Sequence, residues 1–266
     1  MQVHEYSGQT GKIVFREYGS GKTIVLLHGF GESGAVWEDT VKAFDHQYRF
    51  LVPDIPGSGL SPALAEKTAA MEVYANLIQE MITSHTNEKI VLLGHSMGGY
   101  VTLTLAEKSP EYLKGWGLIH STAFADSAEK IAIRKKAITF MLENGSKAFL
   151  QTSIPGLFHN KETHKKEIQN LIDQADNFDP HVLAGYYEAM IARPDHRKAL
   201  SCSNVPVFMI AGKYDQAVPL FQSLEQCHLA PNCQFSILRN SAHMGMLEET
   251  EPFRQHFGSF LASIFI

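Results

Sequence analysis

The sequence is poor in cysteine and has no long apolar run. Its three cysteines, Cys202, Cys227 and Cys233, are odd in number and lack the spacing of metal ligands, so they predict free thiols in a reducing compartment. No apolar stretch approaches the roughly 20 residues that span a bilayer. The first residues have neither the basic region nor the apolar core of a secretory signal. We therefore expect a cytoplasmic protein without a membrane partner.

Blocks of charge of one sign are also missing. The chain has 23 basic and 28 acidic residues, and they are dispersed. A nucleic-acid surface needs a concentrated basic patch, so no nucleic-acid partner is expected. The length of 266 residues and the hydrophobic fraction of 44% allow a substantial core, in one large domain or two small ones. The sequence carries no signal of oligomeric state.

Short apolar runs alternate with amphipathic helical patterns along most of the chain. Because continuous apolar strands that alternate with helices are covered on both faces, this order predicts an α/β fold with a mostly parallel sheet. The predicted strands are 2–6, 12–18, 23–27, 49–52, 89–93, 116–119, 207–210 and 235–238, and the predicted helices outside the long central segment are 35–44, 68–84, 98–108 and 251–261.

That central segment, residues 121–200, has no strand candidate. It contains four helical patterns, at 126–142, 147–153, 163–175 and 180–191. A compact domain does not carry so long an excursion as an unstructured loop. We therefore predict an α/β core, residues 1–121 and 201–266, with an inserted helical cap, residues 122–200, over the carboxyl ends of the strands, where open α/β sheets bind ligands.

A candidate nucleophile lies in the segment 94–99, whose sequence is GHSMGG. A strand, then Gly-x-Ser-x-Gly, then a helix is typical of a nucleophile elbow, with the hydroxyl of Ser96 at the end of the sheet. Gly94 and Gly98 permit the tight turn, since a Cβ atom at either position would collide with neighbouring backbone. The alternative is a merely structural strand-to-helix turn, because short motifs recur by chance.

A base and an acid follow the serine in chain order. His243 is the candidate base among thirteen histidines, because it lies between the last strand and the last helix. Asp215, after the preceding strand, is the candidate acid that orients it. Two alternatives remain open: Asp215 serves only to cap the next helix, or Asp126 supplies the acid from an earlier strand.

Two backbone N–H groups are predicted to form an oxyanion hole. One belongs to Met97, which follows the serine at the start of a helix, and the other to Phe30, in the loop after an early strand. Because these are backbone groups, the side chains at both positions shape the pocket. His28 and His95 lie close to the site in sequence but in the wrong chain order for a base, and both are interpreted as residues that support the site or are structural.

Five segments in this order resemble the α/β-hydrolase superfamily: 28–31 (HGFG), 54–61 (DIPGSGLS), 94–99 (GHSMGG), 212–215 (GKYD) and 242–243 (AH). The resemblance spans essentially the whole chain. It implies an eight-stranded, mostly parallel sheet with antiparallel first strands, a helical cap after the sixth strand, and the catalytic triad Ser96, Asp215 and His243. Serine at the elbow argues against dehalogenase and epoxide hydrolase members, which have aspartate there.

Within the superfamily the chain resembles small capped bacterial esterases and their enol-lactonase and C–C hydrolase relatives. The leading prediction is a serine carboxylesterase that cleaves small-to-medium esters and needs no metal or organic cofactor. Alternatives are a C–C bond hydrolase, an enol-lactonase, a thioesterase, a cofactor-free perhydrolase, or a ligand receptor with little turnover. The residues predicted to line the substrate pocket are His28, Phe124, Phe140, Phe158, Tyr186 and Met190. No basic cluster is evident in the cap, although Arg134, Lys135, Lys136 and Arg193 offer candidates.

Overall fold

Eight strands form one sheet in the computed structural model, which describes residues 1–66, 69–175 and 178–265. The strands are β1 (Gln2–Ser7), β2 (Lys12–Tyr18), β3 (Thr23–Leu27), β4 (Arg49–Pro53), β5 (Ile90–His95), β6 (Leu113–Ile119), β7 (Val207–Gly212) and β8 (Cys233–Leu238). Their order across the sheet is β1-β2-β4-β3-β5-β6-β7-β8. β2 pairs antiparallel with both β1 and β4, and the other neighbours pair parallel. This sheet is the one predicted from the sequence.

Helices flank the sheet. The α-helices are α1 (Glu38–Phe44), α2 (Met71–His85), α3 (Met97–Lys108), α4 (Ala128–Ser153), α5 (Lys165–Asp173), α6 (Pro180–Ala192), α7 (Arg197–Ser201), α8 (Leu220–Cys227), α9 (Gly245–Glu248) and α10 (Thr250–Ile264). Short 3₁₀ helices cover Gly34–Trp37, Pro110–Tyr112 and Ile154–Leu157.

Burial along the strands follows their place in the sheet. Every residue of β3, β5 and β7 is buried, because both faces of these central parallel strands are covered. The edge strand β1 has no buried residue and carries polar side chains such as Glu5. Polar edges of this kind discourage pairing with another chain.

The predicted elements match the observed ones except at certain ends. The helix predicted over 35–44 is a 3₁₀ turn followed by α1. The helices predicted over 126–142 and 147–153 correspond to the two parts of α4, which are separated by non-helical backbone at Gly145 (φ 86°, ψ 161°). The predicted start of α2 at Thr68 lies outside the described residues. The helices α7 and α9 were not predicted, because five and four residues are too few to establish a helical period.

The segment between β6 and β7, which we call the cap (residues 122–200), contains α4 to α7 and no strand in the parts that are described. Hydrogen bonds join it to loops at the carboxyl ends of strands, for example to the loops after β4 and β8. The hydroxyl of Tyr186 in α6 donates to the carbonyl of Pro56, after β4, at 2.6 Å. The N–H of His243, after β8, donates to the carbonyl of Leu157 at 2.9 Å. The cap therefore lies over the end of the sheet where ligands bind.

Over the described ranges, none of the helices has both the length and the apolar character required to cross a membrane.

The start of α3 packs against the backbone that follows β3. A methyl group on Gly98 would lie 2.6 Å from the carbonyl oxygen of His28 and 2.7 Å from that of Leu27. We expect Gly98→Ala to lower the free energy of unfolding by about 1–3 kcal/mol in urea denaturation, since the overpacked backbone must shift. Gly156→Ala is the matched control, because no atom lies within 4 Å of the added methyl. Equal effects of the two substitutions would contradict this account.

Candidate active site

Ser96 occupies a strained turn between β5 and α3. Its φ of 49° and ψ of −114° lie outside the regions that side-chain-bearing residues favour. A Cβ atom on Gly94 would lie 2.2 Å from the carbonyl oxygen of Gly98, so the first glycine of the motif is a steric requirement. Ser96 is only partly buried and lines a cavity between the sheet and the cap.

The structure joins His243 to Asp215. His243 Nδ1 lies 2.8 Å from Asp215 Oδ2, and both side chains are almost completely buried. The other carboxylate oxygen, Oδ1, accepts hydrogen bonds from the N–H groups of Ala217 and Val218, each at 2.8 Å. Asp215 thus shapes its own turn and also orients the histidine. The alternative in which Asp215 only caps the next helix is wrong, because α8 begins at Leu220 with Pro219 as its N-cap residue and no side chain caps it.

The other candidate acid, Asp126, has different partners. Its carboxylate accepts hydrogen bonds from Arg134 Nε at 2.6 Å and from Arg193 Nη2 at 2.9 Å. No hydrogen bond joins it to a histidine among the described residues. Asp126 therefore belongs to an ion-pair network of the cap.

The surroundings of Asp215 favour its charged form. Burial alone opposes a charge there, but the charge of His243, the hydrogen bond from its ring and the nearby imidazole of His120 hold the pKa of the Asp215 carboxyl well below its ordinary range. A carboxylate that stays ionised can fix the tautomer of a neighbouring imidazole and stabilise the imidazolium.

His120, at the end of β6, is a second histidine on this carboxylate, and sequence reasoning missed it. Its Nδ1 lies 3.4 Å from Asp215 Oδ2, and its φ of 47° is unusual for a residue with a side chain. Burial lowers the pKa of His120 to about 4, so its imidazole is neutral at pH 7. Gly245 leaves room for it, because a methyl group there would lie 2.4 Å from His120 Nε2. Its position after a central parallel strand is the signal that would have found it.

A buried pair supports the loop of His243 from behind. His95 Nδ1 lies 3.1 Å from Glu32 Oε2, and His95 Nε2 lies 3.0 Å from the carbonyl oxygen of His243. Glu32 also accepts a hydrogen bond from the N–H of Gly29 at 2.8 Å. The pair therefore connects the loop after β3 to the loop after β8. This agrees with the interpretation of His95 as structural.

Side chains of the kinds that bind metal ions also meet at this point. Among the described residues, such a group is formed by His120, Asp215 and His243, whose ligand atoms lie within 4.8 Å of one another. Two ligands of a tetrahedral zinc ion are about 3.3 Å apart, given metal–ligand distances of about 2.0–2.1 Å. The 2.8 Å between His243 and Asp215 is instead the length of a hydrogen bond. The geometry fits a hydrogen-bonded histidine better than a metal centre.

Two N–H groups beside Ser96 have no protein acceptor among the described residues. They belong to Phe30 and Met97, and neither donates in any hydrogen bond of the structure. Met97 opens α3, so its N–H lies at the positive end of the helix dipole. Donors of this kind suit a developing negative charge on an oxygen.

The cavity has a volume of about 640 Å³. Ser96 and His243 both line it, although no hydrogen bond joins these two described residues. Catalytic hydrogen bonds are often long in structures without substrate. The other lining residues include Phe30, Tyr100, Lys130, Arg134, Leu150, Ile154, Leu157, Tyr187, Met190 and Val218.

Of the six predicted pocket residues, Met190 lines this cavity and the other five do not. His28 is fully buried and accepts a hydrogen bond from the N–H of Ile55 at 2.9 Å. Tyr186 is fully buried with its hydroxyl on Pro56. Phe124 lies under the guanidinium of Arg197, Phe140 is exposed beside Phe149, and Phe158 is buried beside His164. The prediction that these five residues contact the substrate is therefore wrong, and their side chains instead make the packing and hydrogen-bond contacts just described.

Known proteins resemble this chain in sequence. A family model described as the alpha/beta hydrolase fold matches residues 22–137. The chain is 28% identical to a pimeloyl-[acyl-carrier protein] methyl ester esterase of Vibrio campbellii, covering 93% of this chain and 98% of the relative. It is 26% identical to a putative carbamate hydrolase, RutD, of Pseudomonas syringae, covering 93% and 96%.

Two solved structures share the fold over nearly the whole chain. A thermophilic esterase from Thermogutta terrifontis, solved with malate bound, superposes with a TM-score of 0.92 at 24% identity and 100% coverage of both chains. The enol-lactonase from Burkholderia xenovorans superposes with a TM-score of 0.90 at 21% identity, covering 97% of this chain and 100% of that one. The chain therefore has the α/β-hydrolase fold, and the relatives that it matches over nearly its whole length are named as an esterase and a hydrolase.

The Glu32–His95 pair makes stability depend on pH. The carboxylate of Glu32 raises the pKa of His95 against the opposing effect of burial, and His95 in turn lowers the pKa of Glu32. His95 contributes fully to the free energy of unfolding below its pKa in the unfolded state, about 6.5. This contribution is lost as the pH rises through the higher pKa that His95 has in the folded state. The contribution of the carboxylate is present above about pH 4.3 and is lost in acid.

We therefore expect Glu32→Gln to lower the free energy of unfolding by about 3 kcal/mol between about pH 5 and 6.5. The difference from the parent protein should shrink as the pH rises towards 9, because His95 then loses its proton in both proteins. Urea denaturation at pH 5.5, 7 and 9 measures this. Glu88→Gln, at an exposed carboxylate paired with Lys22, is the control. A difference that does not vary with pH would contradict the pairing.

Proposed function

We propose that this protein is a serine esterase that cleaves small-to-medium carboxylic esters through an acyl-enzyme on Ser96. The observation that carries the proposal is the buried hydrogen bond of 2.8 Å between Asp215 and His243, beside a serine on a strained strand-to-helix turn. Ser96 and His243 face one cavity of about 640 Å³, a size that accommodates a small organic substrate.

Acylation begins with attack of Ser96 Oγ on the ester carbonyl carbon. His243 Nε2 accepts the hydroxyl proton, because Asp215 holds the opposite ring nitrogen, Nδ1, as the protonated one. The carbonyl oxygen becomes an oxyanion, which the N–H groups of Phe30 and Met97 stabilise. His243 then gives its proton to the alcohol that leaves.

Deacylation repeats the sequence with water. His243 accepts a proton from the water that attacks the acyl carbon and returns it to Ser96 Oγ, which restores the enzyme and releases the acid. Asp215 stays ionised throughout, in keeping with the depressed pKa of its carboxyl.

The relatives support the choice of an ester bond. The relative from Vibrio campbellii is named as a methyl ester esterase, and the structural neighbour from Thermogutta terrifontis is titled an esterase. Apolar side chains such as Leu150, Ile154 and Met190 line the cavity beside the serine. They suit the hydrocarbon part of an ester.

The first test is hydrolysis of p-nitrophenyl butyrate. We expect Ser96→Ala to lower kcat/KM by at least about 10³-fold, because the nucleophile is lost while binding remains. Ser201→Ala, at an exposed serine, should retain the parent rate. Retained turnover by the Ser96 variant would contradict the proposal. So would a single burst of p-nitrophenol without steady-state turnover in the parent protein.

The second test concerns the acid. We expect Asp215→Asn to lower kcat by about 10²–10⁴-fold, because the amide no longer fixes the tautomer of His243. Asp126→Asn is the matched control, since that carboxylate bonds to arginines. If loss of Asp126 reduced kcat more than loss of Asp215, the assignment of the acid would be wrong. Stopped-flow measurement of both variants above pH 7 makes the comparison.

A further inference from the structure

The cavity has one polar wall, formed by Tyr100, Lys130 and Arg134. Tyr100 lies on α3, four residues after Ser96, which places it about 6 Å further along the helix axis. Lys130 and Arg134 lie on α4 of the cap at the helical spacing of i and i+4, so they share a helix face. We call these three residues the polar wall.

The positive charge behind this wall exceeds the negative charge. Within the described part of the chain, Asp126 is the one carboxylate bound to both Arg134 and Arg193, so it balances one of these two guanidinium groups. Lys130 Nζ donates to a neutral acceptor, the carbonyl oxygen of Ala217, at 2.7 Å.

The acidic residues that line the cavity do not cancel this excess. Glu32 is paired with His95, and Glu129 is exposed to solvent, which screens its charge. The polar wall therefore carries an excess of positive charge at a largely buried position.

Tyr100 adds an unused hydroxyl to the same wall. The residue is 2% exposed, and Arg193 Cζ lies 3.8 Å from its ring centroid. Its hydroxyl makes no hydrogen bond to any of the residues that the structure describes and is not one of their fully buried side-chain atoms, so it is accessible at the wall of the cavity. The charges of Arg193, Lys130 and Arg134 lower the pKa of Tyr100 in spite of its burial. A negatively charged acceptor would satisfy the hydroxyl and the two cations together.

The two arginines have different roles. Arg193 has 1% of its side chain exposed and donates to the carbonyl oxygens of Met190 and Phe124, so it holds the cap together. Arg134 has 10% of its side chain exposed, lines the cavity and lies over the ring of Tyr187. Of the two, Arg134 is the one that can reach a ligand.

We propose that the polar wall is a subsite for a carboxylate carried by the substrate, remote from the bond that is cleaved. The proposal rests on the proposed esterase function and names its substrate class: monoesters of dicarboxylic acids. A carboxylate accepts hydrogen bonds from a guanidinium, an ammonium and a phenol, and charge-assisted bonds of this kind are the strong ones. Apolar residues that line the same cavity, such as Leu150, Ile154 and Met190, suit the methylene chain.

A matched pair of substrates tests the subsite. Monomethyl adipate and methyl hexanoate have the same ester and the same chain, and differ by a carboxylate in place of a methyl group. Methanol release at pH 7.5 gives kcat/KM for each. We expect the parent protein to prefer the charged ester by at least about 10-fold. Equal or slower hydrolysis of the charged ester, with methyl hexanoate cleaved, would overturn the subsite and leave the esterase proposal intact.

Variants of the wall separate charge recognition from a general loss of activity. We expect Arg134→Gln to lower the ratio of the two kcat/KM values by about 10–100-fold, and Tyr100→Phe and Lys130→Gln to lower it less. Lys136→Gln removes a cation from the exposed side of the same helix and should not change the ratio. An unchanged ratio in the three wall variants would overturn the subsite. Tyr100→Phe keeps the ring and therefore the fold, so this result does not depend on how the arginine variant folds.

Binding to the protein without its nucleophile provides a readout that needs no turnover. We expect monomethyl adipate to bind Ser96→Ala protein in calorimetry, and the additional substitution Arg134→Gln to weaken that binding by at least about 10-fold. This result would support the subsite even if the parent protein cleaved neither ester, a failure that would count against the esterase proposal alone. Equal binding of monomethyl adipate and methyl hexanoate would overturn the subsite.

Discussion

The carboxylate of Asp215 is the point on which the site depends. One oxygen accepts the two N–H groups that form the turn after β7, and the other accepts the ring of His243 from the loop after β8. The ends of neighbouring parallel strands are thereby fixed to each other at the edge of the sheet where Ser96 also lies. A single ionised group sets the shape of one loop and the orientation of the side chain in the other.

Much of the fold could be predicted because its signals are local. The strands are short apolar runs, and the elbow is specified by two glycines whose replacement would bring a Cβ against backbone. Local signals do not show which side chains meet in the folded protein, and this limits the prediction of the site. Asp126 and Asp215 both follow strands, and only the tertiary arrangement gives the first to two arginines and the second to His243. The contact of His120 with Asp215 was missed for the same reason, since the position of His120 after β6 does not show which carboxylate it meets.

The cap was the least predictable part of the site. The spacing of its aromatic residues in the sequence does not show which of them face a ligand and which pack helices together. Tyr186 is fully buried on Pro56, while the neighbouring residue Tyr187 lines the cavity. Arg134 looks like a surface residue in the sequence, between lysines and isoleucines. It is buried because Asp126, eight residues earlier, returns to meet it.

The bond between the N–H of His243 and the carbonyl of Leu157 joins the loop of the proposed base to the cap. Leu157 ends the 3₁₀ helix that follows α4, and its side chain lines the cavity. Cap and base are thus mechanically linked. If His243 is the base, a ligand that displaced the cap at this point would also shift the backbone of that base. The fit of a substrate under the cap would then change the orientation of the His243 ring.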